Sequence, residues 1–121
     1  MIENNFGKLG ATQIEALAKA EPLIDAILKS QDEVDYEAFC ANFEGGLRTN
    51  ITKNDFEQNA QHILSTMGKV KEKKFLATLN RQGMIGLIYK CKFDGSPDDF
   101  ILTFTLNDQV EPLKASGIWI S

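Results

Sequence analysis

Four runs between Lys69 and Ser121 decide the fold: KEKKFLATLN at Lys71–Asn80, MIGLIYKCKFD at Met84–Asp94, FILTFTLN at Phe100–Asn107 and VEPLKASGIWI at Val110–Ile120. Each is rich in the β-branched and aromatic residues that suit a pleated, half-buried surface. Turn chemistry separates them at Arg81-Gln82-Gly83, Gly95-Ser96-Pro97-Asp98 and Asn107-Asp108-Gln109. The expectation is a four-stranded antiparallel meander. A three-residue loop with Gly83 left-handed sets Phe75 opposite Tyr89, Ala77 opposite Leu87 and Leu79 opposite Ile85. The same register sets Glu72 opposite Lys92 and Leu76 opposite Ile88 on the other face. Across the second loop, Phe93, Cys91, Tyr89 and Leu87 are expected against Phe100, Leu102, Phe104 and Leu106. That wide apolar face needs a cover.

The last strand has two readings. With a two-residue turn at Asp108-Gln109, Leu113, Ala115, Gly117 and Trp119 point inward. A bulge near Pro112, which has no N–H for the ladder, would instead turn Ile118 and Ile120 inward. The first is preferred, with Trp119 inward or at the rim. The opposite sheet face then carries Lys74, Leu76, Thr78, Met84, Ile88, Lys90 and Lys92, followed by Ile101, Thr103 and Thr105. Leu76, Met84, Ile88 and Ile101 are large and apolar on a face that would otherwise alternate to polar residues. A homodimer through this outer sheet face, with lysines and threonines at its rim, is the expected assembly.

The cover comes from the first 68 residues. Thr12-Gln13-Ile14-Glu15 has capping-box form and starts a helix. Pro22 then interrupts. Run on unbroken, the helix would place Glu21 within the stripe of Ile14, Leu17, Ile24 and Leu28. A kink or break with Pro22 in a new first turn leaves Leu23, Ile24, Ile27 and Leu28 as one clean face, and is preferred. The segment ends near Ser30-Gln31. Asp35 caps a short second helix carrying Tyr36, Phe39, Cys40 and Phe43, with Val34 and Phe39 as a hydrophobic staple and Gly45-Gly46 as the stop. Thr52 caps a third helix bearing Phe56, Ala60, Ile63, Leu64 and Met67, which Gly68 ends in the left-handed conformation.

Composition bounds the function. The chain has 121 residues, 43% hydrophobic and 25% charged, which suits one α+β domain, 1–121, with residues 1–10 flexible. A net charge of −4 disfavours nucleic-acid binding, which rests on phosphate neutralisation. No run approaches a membrane span and no signal peptide opens the sequence, so no membrane partner is expected and the default compartment is cytoplasmic. Lys69, Lys71, Lys73 and Lys74 near Lys90 and Lys92 read as solvated edge lysines. Cys40 and Cys91 lack metal spacing and read as small buried hydrophobes. The sequence contains no phosphate loop, no His/Cys cluster and no nucleophile elbow, so no cofactor, metal or catalytic residue is assigned.

Three helices followed by a four-stranded meander make an α+β two-layer domain. Asp35-Tyr36-Glu37-Ala38-Phe39, then Phe56 through Met67-Gly68, then the meander ending in Gly117-Ile118-Trp119-Ile120 resemble the nuclear transport factor 2-like (cystatin-like) superfamily, in particular its small bacterial members of uncharacterised function. The resemblance implies a curved sheet wrapping helices into a cone with a pocket between them. Enzymes of the superfamily place an aspartate or histidine there, sometimes with a tyrosine. His62, the single histidine, falls off the apolar stripe of its helix and reads as a surface residue. Glu111 is the nearest acid and Arg48 a loop cation. The preferred reading is therefore a non-catalytic binding domain with an apolar cone for a small ligand, lined by Tyr36, Phe39, Tyr89, Phe104 and Trp119. The alternative is a small isomerase- or dehydratase-like enzyme using a pocket tyrosine and an acid.

Overall fold

The computed structural model of the chain describes residues 12–43, 51–81, 84–107 and 113–120. Within them lie three helices, α1 (Gln13–Asp32), α2 (Tyr36–Ala41) and α3 (Lys53–Thr66), then four strands, β1 (Val70–Arg81), β2 (Met84–Phe93), β3 (Asp99–Asn107) and β4 (Lys114–Ile120). The strands form one antiparallel sheet in the order β1-β2-β3-β4. The chain is α+β, as its pattern of elements requires.

All three helix starts follow the sequence signals. Thr12 accepts from Glu15 N at 3.2 Å, Asp35 from Ala38 N at 3.1 Å and Thr52 from Asp55 N at 3.1 Å. The expected break at Pro22 is not found: α1 runs through it as one helix of 20 residues. Two facts remove the objection to a continuous helix. Ile14 is 83% exposed, so the buried stripe is Ala16, Ala20, Ile24 and Ile27 instead. Glu21 beside that stripe is answered by Lys73 of β1, whose Nζ lies 2.6 Å from Glu21 Oε2 and 3.2 Å from Asp25 Oδ1.

Helix α1 ends in a Schellman arrangement: Asp35 N donates to Ser30 O at 2.8 Å and Val34 N to Gln31 O at 3.2 Å. The left-handed position, which favours glycine, is held by Val34 at φ 55°. Gly68 at φ 91° closes α3, as its sequence position implied.

The sheet departs from its expected register in three places. Leu76 is an extra residue in β1, so Phe75 faces Tyr89 as expected but Thr78, not Ala77, faces Leu87. Leu79 then lies opposite Gly86 rather than Ile85, Ala77 opposite Ile88, and Arg81 pairs with Met84 across a shorter loop. Thr78 thus moves to the inner face, while Ala77 and Leu79 move to the outer one. Between β2 and β3 the pairing is displaced by two residues, giving Leu87 opposite Phe104, Tyr89 opposite Leu102 and Cys91 opposite Phe100. A slip of two keeps every side chain on its own face.

In β4, Ser116 is the extra residue: Thr105 faces Gly117 while Leu106 faces Ala115. Ile118 and Ile120 consequently pair with Phe104 and Leu102 on the inner face, and Trp119 pairs with Thr103 on the outer one. The preferred inward placement of Gly117 and Trp119 is therefore corrected. The bulge that reverses them sits at Ser116, beyond Pro112.

One hydrophobic cluster joins Ala16, Ala20, Ile24 and Ile27 of α1 and the aromatic residues Phe39, Phe43 and Phe56 to Leu87, Tyr89, Leu102 and Phe104 of the sheet. Leu64 and Phe75, expected to be buried, are half-buried, with Phe75 packed against the cluster. Cys40 and Cys91 are both buried free thiols, matching the sequence reading. Gly83, Arg48, Glu111, Gly45-Gly46, the Asp108-Gln109 turn, Pro112 and residues 1–10 lie outside the described residues. No described helix is long and apolar enough to cross a membrane.

Candidate functional site

The helical repeat of α3 puts Phe56, Ala60, Ile63 and Met67 on one face. That face meets Phe39 of α2 and the inward Ile118 and Ile120 of β4 across an open pocket of about 560 Å³. The volume lies within the roughly 300–1,000 Å³ of small-molecule sites. Ile51 contributes a further wall, with Trp119 at the border. The aromatic side of the pocket is rigidly packed. Phe39 and Phe56 have ring centroids 4.6 Å apart, as do Phe39 and Phe43. Tyr36 leans on Phe56 at 5.8 Å and donates its hydroxyl proton to Ile51 O.

Three polar residues enter the lining. Asp55 and Asn59 are exposed, on α3. Gln31, in the last turn of α1, is 6% exposed, and its Nε2 has no hydrogen-bond partner among the described residues. No lysine, arginine or histidine is among the described residues that line the pocket. Its chemistry is that of a mostly apolar recess with one buried neutral amide in its described wall.

Of the five residues expected to line a ligand site, the structure brings Phe39 and Trp119 to this pocket. Tyr36 stands behind it, its hydroxyl committed to the Ile51 carbonyl. Tyr89 and Phe104 are buried in the main core, in edge-to-face contact at 6.0 Å, and are not among the pocket's lining residues. The sequence reading missed Gln31, although it continues the spacing of Ile24, Ile27 and Leu28 along α1 and so was legible as an inward residue. Inward Ile118 and Ile120 belonged to the second reading of the last strand, not the preferred one, because the Ser116 bulge has no sequence signature.

A second cluster lies where α1 crosses β1. Lys73 Nζ, held between Glu21 and Asp25, also sits 5.1 Å from the Tyr89 ring centroid. Burial pulls the Lys73 pKa down, but the bonds from Glu21 and Asp25 outweigh it and the net direction is up. Tyr89 is pushed well above the usual tyrosine value, first by burial and then by the Glu21 and Asp25 carboxylates. Its hydroxyl has no hydrogen-bond partner among the described residues. The phenol therefore keeps its proton near neutral pH. Burial likewise pushes the Cys91 thiol up to about 11, which removes it as a nucleophile near neutral pH.

The remaining candidates are surface features. His62 is exposed on α3, as expected, and Lys90 and Lys92 share Asp99 on the outer face at 3.4 and 3.1 Å. Lys73 is the exception to the reading of solvated lysines, since it turns inward to Glu21. Among the described residues no group of three or more His, Cys, Asp or Glu could hold a metal.

No family model matches the chain, and no curated protein matches its sequence. Among solved structures, a designed nuclear transport factor 2-like protein is similar to it, with a TM-score of 0.57 and 10% identity. The match covers 84% of this chain and 96% of the designed one. With so little shared sequence the agreement speaks of architecture alone. The three helices and the antiparallel four-stranded meander among the described residues make a nuclear transport factor 2-like fold.

Proposed function

We propose that this chain is a non-catalytic binding module whose helices and sheet form a cone, taking a small apolar ligand in the pocket between α2, α3 and β4. The observation that carries this reading is the recess of about 560 Å³ whose described walls are mostly hydrocarbon. The isomerase- or dehydratase-like alternative needs a tyrosine and an acid facing an open cavity. The nearest arrangement is Tyr89 with Glu21 and Asp25, and there the acids already hold Lys73. Tyr36 spends its hydroxyl on Ile51. These commitments favour binding over catalysis.

The test is a methyl NMR titration with naphthalene-sized neutral probes. Ile51, Ile63, Ile118 and Ile120 should shift while Ile101 on the outer face stays still. Asn59→Trp, which fills the mouth, should abolish the shifts. Unmoved pocket methyls at saturating probe would refute the reading.

The partner we propose is a second copy of the chain, docked through the outer sheet face. Leu76, Leu79, Met84, Ile101 and Trp119 are exposed there, with Trp119 at 56%. Light scattering over a dilution series should give a dimer mass for the native chain and a monomer mass for Ile101→Lys. A native monomer persisting at high concentration removes the proposal.

A further inference from the structure

Gln31 is the one buried polar side chain in the described wall of the pocket, and its amide nitrogen is unanswered. Buried N–H groups are paired in the great majority of native structures, and an orphan is destabilising. Most of the described lining that it shares offers no partner: Phe39, Phe56, Ile63, Ile118 and Ile120 have only hydrocarbon in their side chains. The backbone that carries Gln31 is fixed, since its carbonyl accepts from Val34 N and the neighbouring Ser30 O accepts from Asp35 N. The last side-chain torsion of glutamine is soft, so the amide turns its donor toward the recess at little cost. A donor carried on a fixed backbone in a mostly apolar wall selects for an acceptor.

Charge narrows the choice. Asp55 is the ionisable residue of the described lining. A carboxylate or phosphate entering there would lose hydration and meet the like charge of Asp55. We infer that the pocket takes a neutral ligand with an apolar body and one hydrogen-bond-accepting oxygen held by Gln31 Nε2: an uncharged ketone, ester or amide. This rests on the binding reading above and narrows it to a chemical class.

Three probes separate the possibilities: prodan, a neutral dimethylamino-naphthyl ketone; its carbonyl-free propyl counterpart; and the corresponding naphthoate. Each is titrated by fluorescence into the native chain and into Gln31→Leu. Prodan should bind the native chain about tenfold tighter than the variant, the size of a single buried hydrogen bond. The propyl counterpart should bind both proteins alike, and the naphthoate should bind both weakly. In the native chain, prodan should also shift the Gln31 side-chain amide resonances. Equal binding of the ketone and its propyl counterpart to both proteins would keep the pocket as a binding site but overturn the acceptor requirement. Failure of all three probes to bind would overturn both readings. Leu removes an orphan donor at similar volume, so the variant should fold. If it does not, an unmoved Gln31 amide in the prodan-saturated native chain overturns the inference.

Discussion

Replacing Gly68 by alanine tests the joint between α3 and the sheet. Gly68 has φ 91°, and a Cβ there would stand 2.1 Å from Asp94 Oδ1 and 2.5 Å from Gly95 N. Three costs follow. The left-handed backbone costs an L-residue about 1–2 kcal/mol. The Asp94 carboxylate must leave, breaking its 2.8 Å bond from Lys69 N; such a bond to an exposed charged group is worth about 1.5 kcal/mol. Gly95 N must also shift, loosening its 2.9 Å bond to Met67 O, worth about 1 kcal/mol. The sum is about 3–5 kcal/mol, a large part of the roughly 5–15 kcal/mol that stabilises a domain. Urea unfolding should show the loss as a lower midpoint at unchanged slope. Asp94→Ala forfeits its own bond but clears part of the space, so the double variant should lose about 1 kcal/mol less than the two singles added. A Gly68→Ala loss below about 1 kcal/mol, or strict additivity, would refute the account.

Phe104→Ala should cost about 3–5 kcal/mol, because Phe104 is fully buried between Leu87, Ile118 and the Tyr89 ring; under about 1 kcal/mol would make β3 peripheral. Alkaline stability should fall from about pH 9, where an unfolded cysteine begins to ionise, toward 11 and beyond. Cys91, Tyr89 and Lys73 all keep their protons longer in the folded chain, so unfolding releases protons and rising pH favours it. The Lys73 contribution is complete below its ordinary 10.5 and is lost as pH rises through its higher folded value. A stability that is flat or increasing from pH 8 to 11 would contradict these environments. In the Ile101→Lys variant, measured at a dilution where light scattering gives a monomer mass, the Trp119 indole should emit at long wavelength and be readily quenched by acrylamide. A blue-shifted, protected indole would return Trp119 to the inner face.

Much of the fold was legible because side-chain periodicity outlives errors of register. Leu87, Tyr89, Leu102 and Phe104 were placed on the correct face even though the β2–β3 pairing is displaced by two residues, since a period of two forgives an even slip. Helix caps were legible because Thr12, Asp35 and Thr52 act within three residues of themselves. The failures share the opposite cause. Leu76 and Ser116 are inserted residues whose presence depends on pairing with a distant strand, and each reverses a face locally. Glu21 looked like a reason to break α1 because its partner, Lys73, lies 52 residues away. The candidate site suffered most, since it is assembled by β4 after its bulge. Tyr89 and Phe104 were expected at a ligand and instead fill the core, while Ile118 and Ile120 take the pocket wall.

The arrangement of all the described helices ahead of all the described strands has a consequence for biosynthesis. Ala16, Ala20, Ile24 and Ile27 emerge from the ribosome before any residue of the sheet that covers them. Each strand pairs with its neighbour in sequence, so the meander zips locally once β1 and β2 are out. The closing contacts wait longest: Phe43 bridges to Ala115, and Ala115 N donates to Asn42 O at 2.9 Å. Until β4 is synthesised, the contacts of Asn42 and Phe43 with Ala115 cannot form. The apolar face of the described helices therefore stays uncovered until the strands follow, and its contact with β4 closes after the other described strands are made.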